Sequence, residues 1–195
     1  MSVFFTADPH FSLNDIEGTI KRDFRPFETL EQMNETIIET WNKQAFSDDI
    51  IYLIGDFVNY NFRDKENFDS CYSLVKKINA KVVLILGNND DRVMQYEFGG
   101  DFEKFKEYLL LKGFFDVVKN SLDLELRNTK LHLTHFPKNH KEDVINLFGH
   151  VHGCVFVKKY GFNVGIDNHY LGLFSEDEIF DLIERQKFFD ENIYD

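Results

Sequence analysis

The chain has 195 residues, 43% of them hydrophobic and 29% charged, which is enough to bury a proper core and too balanced for a disordered or fibrous protein. Its 22 Lys and Arg stand against 34 Asp and Glu, a formal net charge of −12. That balance makes long nucleic acid an unfavourable partner, and the sequence holds no apolar run near the roughly 18 residues of a membrane span. Asp8 follows Met1 so closely that a signal peptide does not fit, so the expectation is a soluble, cytoplasmic protein. Cys71 and Cys154 are too few for a disulfide framework. Cys71 lies on the apolar side of a helical pattern and reads as a core thiol, and Cys154 trails a histidine pair, where a thiolate ligand is the minor alternative. With no repeat, low-complexity tract or Gly/Ser linker, the expectation is one domain over residues 1–195.

In chain order, the first β-rich run is Val3 to Thr6. A helical pattern comes next, with Leu30, Met33, Ile37, Ile38, Trp41 and Ala45 on one face and Thr29 with Gln32 as its capping box. A strand at Ile50 to Ile54, a helix from about Glu66 to Asn79 and a strand at Val82 to Leu86 complete a β, α, β, α, β order. Such an order implies parallel pairing, and the near-continuous apolar character of the three strands fits coverage on both faces. A third helix is predicted over Phe102 to Leu111. After it come strands at Phe114 to Val118, Leu122 to Leu126, Leu131 to Thr134, Val144 to Phe148 and Val155 to Val157. The turn at Arg127 to Lys130 suggests antiparallel pairing in this half. A last helix begins at Ser175, whose partner Glu178 forms a second capping box. Two mixed sheets packed face to face and flanked by helices, a four-layer α/β/β/α sandwich, accommodate both halves.

Polar residues cluster where these strands end. Asp8 and His10 come after the first, Gly55-Asp56 after the second and Gly87-Asn88-Asn89-Asp90 after the third, while His135 and Gly149-His150-Val151-His152-Gly153 come after two later ones. Ligand sites in α/β sheets form outside the carboxyl ends of strands, so these loops are expected to share a crevice. On extended backbone, residues two apart point the same way, which lets Asp8 with His10 and His150 with His152 each present two donors. Carboxylate, imidazole and amide oxygen without thiolate suit Mn²⁺, Zn²⁺ or Fe, with Mn²⁺ the first choice. Two aspartates against two dications leave excess positive charge, which favours a phosphate anion. A lone Asp after a strand is ordinarily a turn residue or cap, and it is the joint occurrence in register that points to a metal site. His132, between Leu131 and Leu133, reads as a sheet residue, and Asp90 as a cap of the segment after it.

Asp8-Pro9-His10, Gly55-Asp56, Gly87-Asn88-Asn89-Asp90, His135 and Gly149-His150-Val151-His152 resemble, in kind and order, the motifs of the calcineurin-like metallophosphoesterases. Arg25-Pro26-Phe27, Met33-Asn34-Glu35 and the run Asn163 to Asp167 resemble a small subgroup of that family. The resemblance implies a helix-flanked β-sandwich and a site for two divalent metal ions. It assigns Asp8, His10 and His152 to one ion and Asn88, His135 and His150 to the other, with Asp56 between them. It also implies hydrolysis of a small phosphorylated substrate, with a water or hydroxide held by the metals attacking phosphorus in line. Arg25, if its loop folds over the crevice, is expected to hold a non-bridging oxygen through its planar fork.

The departure is Asn89, which stands where that family carries the histidine that protonates the leaving oxygen. An amide donates a hydrogen bond but gives up no proton at neutral pH. His140 and His169, both in loops, are the candidate substitutes. The alternative to an enzyme is a catalytically weakened metal-binding scaffold that engages a protein partner. The sequence is silent on oligomeric state.

Overall fold

The computed structural model describes residues 1–15, 17–21, 25–60 and 68–193. One sheet joins β1 (Val3–Thr6), β2 (Ile50–Ile54), β3 (Lys81–Ile85), β4 (Val117–Lys119) and β10 (Phe174–Ser175) in the order β10-β1-β2-β3-β4. The second joins β5 (Leu122–Leu126), β6 (Thr129–Leu133), β7 (Ile145–Phe148), β8 (Val157–Lys158) and β9 (Gly161–Asn163) in the order β5-β6-β7-β9-β8. Both sheets are mixed, and helices flank them.

Within the first sheet β1 to β4 are parallel and β10 is antiparallel to β1, the pairing expected for the early β, α, β, α, β run. In the second sheet β6, β7 and β9 are also parallel, and only β5 and β8 run antiparallel to their neighbours. The antiparallel expectation for that half is therefore corrected. Short turns mark the β5–β6 and β8–β9 hairpins, but the loops leaving β6 and β7 are long enough to return the chain to the same edge. Strand β4 begins three residues later than expected because Phe114 and Phe115 are buried in the core as the chain leaves α4. The short strands β9 and β10 carry too few residues for a period-2 pattern to show.

Alternate residues of the first sheet feed two cores. Phe4, Ile51, Leu53, Val82 and Leu84 meet α1 (Leu30–Gln44), α2 (Phe68–Ser73) and α4 (Phe102–Leu111). Val3, Phe5, Ile54, Val83 and Ile85 meet Leu131, Leu133, Leu147 and Phe162 of the second sheet, together with Ile179 and Ile183 of α5 (Glu176–Ile193). Thr29 caps α1 by accepting from the Gln32 N–H at 3.1 Å, and Ser175 and Glu178 exchange bonds at the head of α5. The second predicted helix is α2 followed by a 3₁₀ turn at Leu74–Lys77, and its expected start at Glu66 lies outside the described residues. Asn88–Phe98 forms a helix, α3, that the sequence reading does not assign; Val93, Met94 and Phe98 supply too sparse an apolar stripe to announce it. Among the described residues no helix is long and apolar enough to cross a membrane.

Register then sets the position of the site. Thr6 pairs with Leu53 and Leu53 with Leu84, so β1, β2 and β3 end level. Leu133, Leu147 and Phe162 are likewise level in the second sheet. A bridge from Ala7 to Gly165 ties the two sets of ends together. From the opposite side, fully buried Trp41 donates from Nε1 to the Leu171 carbonyl at 3.0 Å, and Gln44 exchanges bonds with Leu173. Trp41→Phe removes the indole donor and part of a fully buried ring, and leaves that carbonyl without this bond. It is expected to cost about 1–3 kcal/mol in urea unfolding; an unchanged midpoint would show that the bond does not hold the 171–173 segment.

Candidate metal centre

Asp8, His10, Asp56, Asn88, His135, His150 and His152 meet where the level strand ends converge. His10 Nε2 lies 3.8 Å from Asp8 Oδ1 and 3.7 Å from Asp56 Oδ2. His135 Nε2 lies 3.6 Å from Asp56 Oδ2 and 3.2 Å from Asn88 Oδ1, and His150 Nδ1 lies 2.8 Å from that same amide oxygen. The His10 and His152 rings stack at 5.0 Å. Two groupings have ligand atoms within 4.8 Å of one another, Asp8 with His10 and His152, and Asp8 with Asp56 and His135.

The ring tautomers are set by neighbours that only accept. His135 Nδ1 faces the Ile54 carbonyl at 2.9 Å and His152 Nδ1 faces Asp167 Oδ2 at 2.9 Å, so each donates there and leaves Nε2 with its lone pair for the centre. Burial and the nearby Asp56 push the Asp8 carboxyl up to about 6 against the pull of His135. Asp8 Oδ2 accepts the His150 N–H at 2.9 Å, but the buried Oδ1 has no hydrogen-bond partner among the described residues. Burial lowers the His135 imidazole, yet Asp8 and Asp56 outweigh it and hold the ring above its ordinary value. Burial also holds the His150 ring, at the exposed rim, below its ordinary value, reinforced by His135. A partnerless buried carboxylate oxygen amid imidazole lone pairs fits a divalent cation.

The backbone there is not extended. Asp8 (φ 58°), His10 (φ 52°), Asp56 (φ 54°), His150 (φ 74°) and His152 (φ 46°) all occupy the left-handed region, so the extended-strand basis for the paired donors is corrected. Asp and His enter that region more readily than bulkier side chains. Gly55 (φ 88°) lies so close to His135 that a Cβ would fall 2.2 Å from Nδ1, and at Gly87 a Cβ would fall 2.2 Å from Asp56 Oδ1. Asp90 heads α3: its Oδ2 accepts from the Gly87 and Asp56 N–H groups, both at 2.9 Å, and its Oδ1 from the Tyr72 hydroxyl at 2.8 Å. Burial, then Asp56, pushes this carboxyl up to about 7. The centre opens into a cleft of about 1270 Å³.

The profile of the calcineurin-like phosphoesterases matches residues 1–166. The chain belongs to this family. An uncharacterized protein of Methanocaldococcus jannaschii, MJ1445, is 32% identical over 99 residues, 48% of this chain and 52% of that one. The chain thus spans about half the length of that relative. In three dimensions, a protein of unknown function from Aquifex aeolicus, AQ665, superimposes over 93% of this chain and 98% of its own, with a TM-score of 0.64 and 20% identity. That likeness is one of fold.

For a calcineurin-like phosphoesterase, three expected positions differ. Arg25 is buried, and its Nε, Nη1 and Nη2 donate to Asp167, Pro9, Asp8 and Met33, so its guanidinium is not free to hold a phosphoryl oxygen. His140 lies flat on Tyr160 at 3.8 Å beside a separate depression, and His169 turns to Glu178 on α5 at 3.0 Å. Neither lines the cleft, so neither stands in for a proton donor at position 89. Asn89 is buried, its N–H and Nδ2 each donating to Asp56 at 2.7 Å. Its Oδ1 accepts from exposed Arg92 at 3.2 Å. Cys71 is buried; Cys154 is exposed in the cleft wall, outside both ligand groupings. His132 is buried in β6 with Nδ1 on Asp123.

Two cleft residues carry no role in the sequence reading. Arg92 stands four positions after Asn88 on α3, a spacing that becomes informative only once the segment is known to be helical. Asp167 is held below the ordinary carboxylate range; burial raises it, but the His152 hydrogen bond and the Arg25 charge outweigh this.

Asp90→Ala would leave the Gly87 and Asp56 N–H groups and the Tyr72 hydroxyl unpaired. It is expected to cost about 3 kcal/mol or more, at about 1–3 kcal/mol per orphaned group, with Asp90→Asn milder. Chemical denaturation that found the two variants equal to wild type would show that this carboxylate does not hold the β2 and β3 strand ends together.

Proposed function

We propose that the chain is a dinuclear metal-dependent phosphoesterase acting on a small phosphorylated substrate, a phosphodiester, phosphomonoester or phosphoanhydride. Asp8, His10 and His152 hold one ion, Asn88, His135 and His150 the other, and Asp56 is shared. The observation that carries this reading is the buried Asp8 Oδ1, which has no hydrogen-bond partner among the described residues and lies 3.8 Å from His10 Nε2. The ligand atoms of Asp8 group with those of His10 and His152 and with those of Asp56 and His135. Mn²⁺, Zn²⁺ or Fe suits these donors. When bound, such ions neutralise the phosphoryl oxygens and activate water as nucleophile.

The chain's own residues supply the rest. Asn89 orients Asp56 through two hydrogen bonds, and Arg92 brings a guanidinium to the cleft with one bond, to Asn89, among the described residues. Its remaining donors suit a substrate phosphate. With −12 overall, attraction of a small anion rests on the local charge of the centre and of Arg92 rather than on the surface at large.

Purified protein is expected to carry two divalent ions per chain by elemental analysis, and chelation is expected to lower its melting temperature, since ions bind the folded state alone. Asp56→Ala is expected to reduce hydrolysis of p-nitrophenyl phosphate and bis-p-nitrophenyl phosphate to background. An active Asp56→Ala protein would overturn the assignment. Asn89 favours the scaffold reading to the extent that it removes a proton donor, and absence of turnover on any aryl mono- or diester by the metal-loaded wild type would decide for it.

Without a general acid, worth roughly 10² to 10⁴ in rate, aryl esters and phosphoanhydrides are expected to react far faster than alkyl esters. Asn89→His is expected to raise rates selectively for poor leaving groups. Wild-type rates that hardly varied with leaving-group pKa would show that another group protonates the leaving oxygen.

A further inference from the structure

Three sequence runs outside the candidate ligands, Arg25-Pro26-Phe27, Met33-Asn34-Glu35 and Asn163 to Asp167, come together behind one side of the centre. The Arg25 guanidinium is 5% exposed and lies fork-on against Asp167, with Nε on Oδ1 at 2.9 Å and Nη2 on Oδ2 at 3.1 Å. Nη2 also donates to the Asp8 carbonyl and Nη1 to the Pro9 carbonyl, both at 2.7 Å, and Nη1 contacts Met33 Sδ at 3.7 Å. Asp167 Oδ2 in turn accepts from His152 Nδ1. Asn163 Nδ2 donates to the His152 carbonyl at 2.6 Å, and Asn34 Nδ2 to the Ser12 carbonyl at 2.7 Å just beyond His10.

We infer that the Arg25–Asp167 pair is a positioning device for one of the two ion positions, that of Asp8, His10 and His152. The inference rests on the dinuclear reading above. The left-handed backbone at Asp8, His10 and His152 is strained and persists only where its surroundings hold it, and this pair grips the peptide units on both sides of Pro9 as well as the His152 ring. Asp167 fixes which His152 nitrogen carries the proton and leaves Nε2 as the donor atom, while its charge raises the basicity of that nitrogen. Arg25 engages both oxygens of that carboxylate, which fixes the orientation in which Oδ2 also accepts from the imidazole. At the other position, the Ile54 carbonyl orients His135, and among the described residues no bond joins His135, Asn88 or His150 to Arg25 or Asp167. The two ion affinities are therefore separable by mutation.

The test is competitive titration of the metal-free full chain with Mn²⁺ and a chromophoric chelator, comparing wild type with Asp167→Asn. The variant keeps the side-chain shape and loses the charge. Expected is a wild type that takes up two ions, and a variant in which one is weakened by about 10- to 100-fold and the other is unchanged. Two unaltered affinities, or an equal loss of both, would overturn the inference, the second by showing a general structural role. Should Asp167→Asn not fold, Arg25→Lys carries the test, since an ammonium cannot make the fork and both carbonyl bonds together. The same selective weakening is expected, and failure of both variants to fold assigns the pair to overall stability and overturns the inference. A wild type that binds fewer than two ions defeats the dinuclear reading itself, an outcome visible before any variant is made.

Discussion

The structure turns on three carboxylates, Asp8, Asp56 and Asp90, buried at the ends of neighbouring strands and at the head of the helix beyond them. Burial and mutual repulsion push Asp8 and Asp90 above the ordinary carboxylate range, so each negative charge has to be met by groups the fold supplies. Each is met differently. Asp90 is surrounded by three donors and acts as a cap, and Asp56 takes two bonds from Asn89. Among the described residues Asp8 accepts a backbone N–H on one oxygen, and the other has no hydrogen-bond partner and lies near the His10 and His135 rings. The least compensated charge therefore lies at the centre of the candidate ligands, where a cation offsets most.

Concentrating charge there also demands unusual backbone. Strands that continued straight would carry Asp8 and Asp56 past the cleft; left-handed turns fold the chain back so that their side chains face inward. The glycines make room. Gly55 and Gly87 bring β2 and β3 so close to His135 and Asp56 that any side chain would displace them. The remaining strain is held by further side chains, Asp90 across β2 and β3 and the Arg25–Asp167 pair across the loop after β1 and the β7–β8 loop. Stability and site geometry are thus carried by the same hydrogen bonds.

Much of this was legible in the sequence. Level apolar strands ending in Asp, Asn and His announced both the parallel sheet and the crevice, because strand-end position is a property of the chain itself. What was hidden depends on distant partners. Arg25 reads as a free basic residue in a loop, and only contact with Asp167, 142 positions away, shows it committed to the interior. His140 and His169 looked available for the same reason, and a ring on Tyr160 and a carboxylate on α5 engage them. Helix α3 was missed because its first turn serves the site instead of the core, leaving a weak apolar period. The parallel pairing of β6, β7 and β9 was hidden by loops that also fit hairpins.

Charge compensation and backbone constraint meet at Asn89. Its amide orientation is set by its partners, the oxygen taking an Arg92 N–H and the nitrogen facing a carboxylate. Both contacts use the fixed polarity of an amide, with nitrogen as donor and oxygen as acceptor. The surroundings of position 89 are therefore built to hold Asp56 still and to carry a guanidinium at the cleft wall, which is work an amide does without changing its protonation state. Charge at the cleft then comes from Arg92, a group ionised at any physiological pH, rather than from a proton donor that titrates.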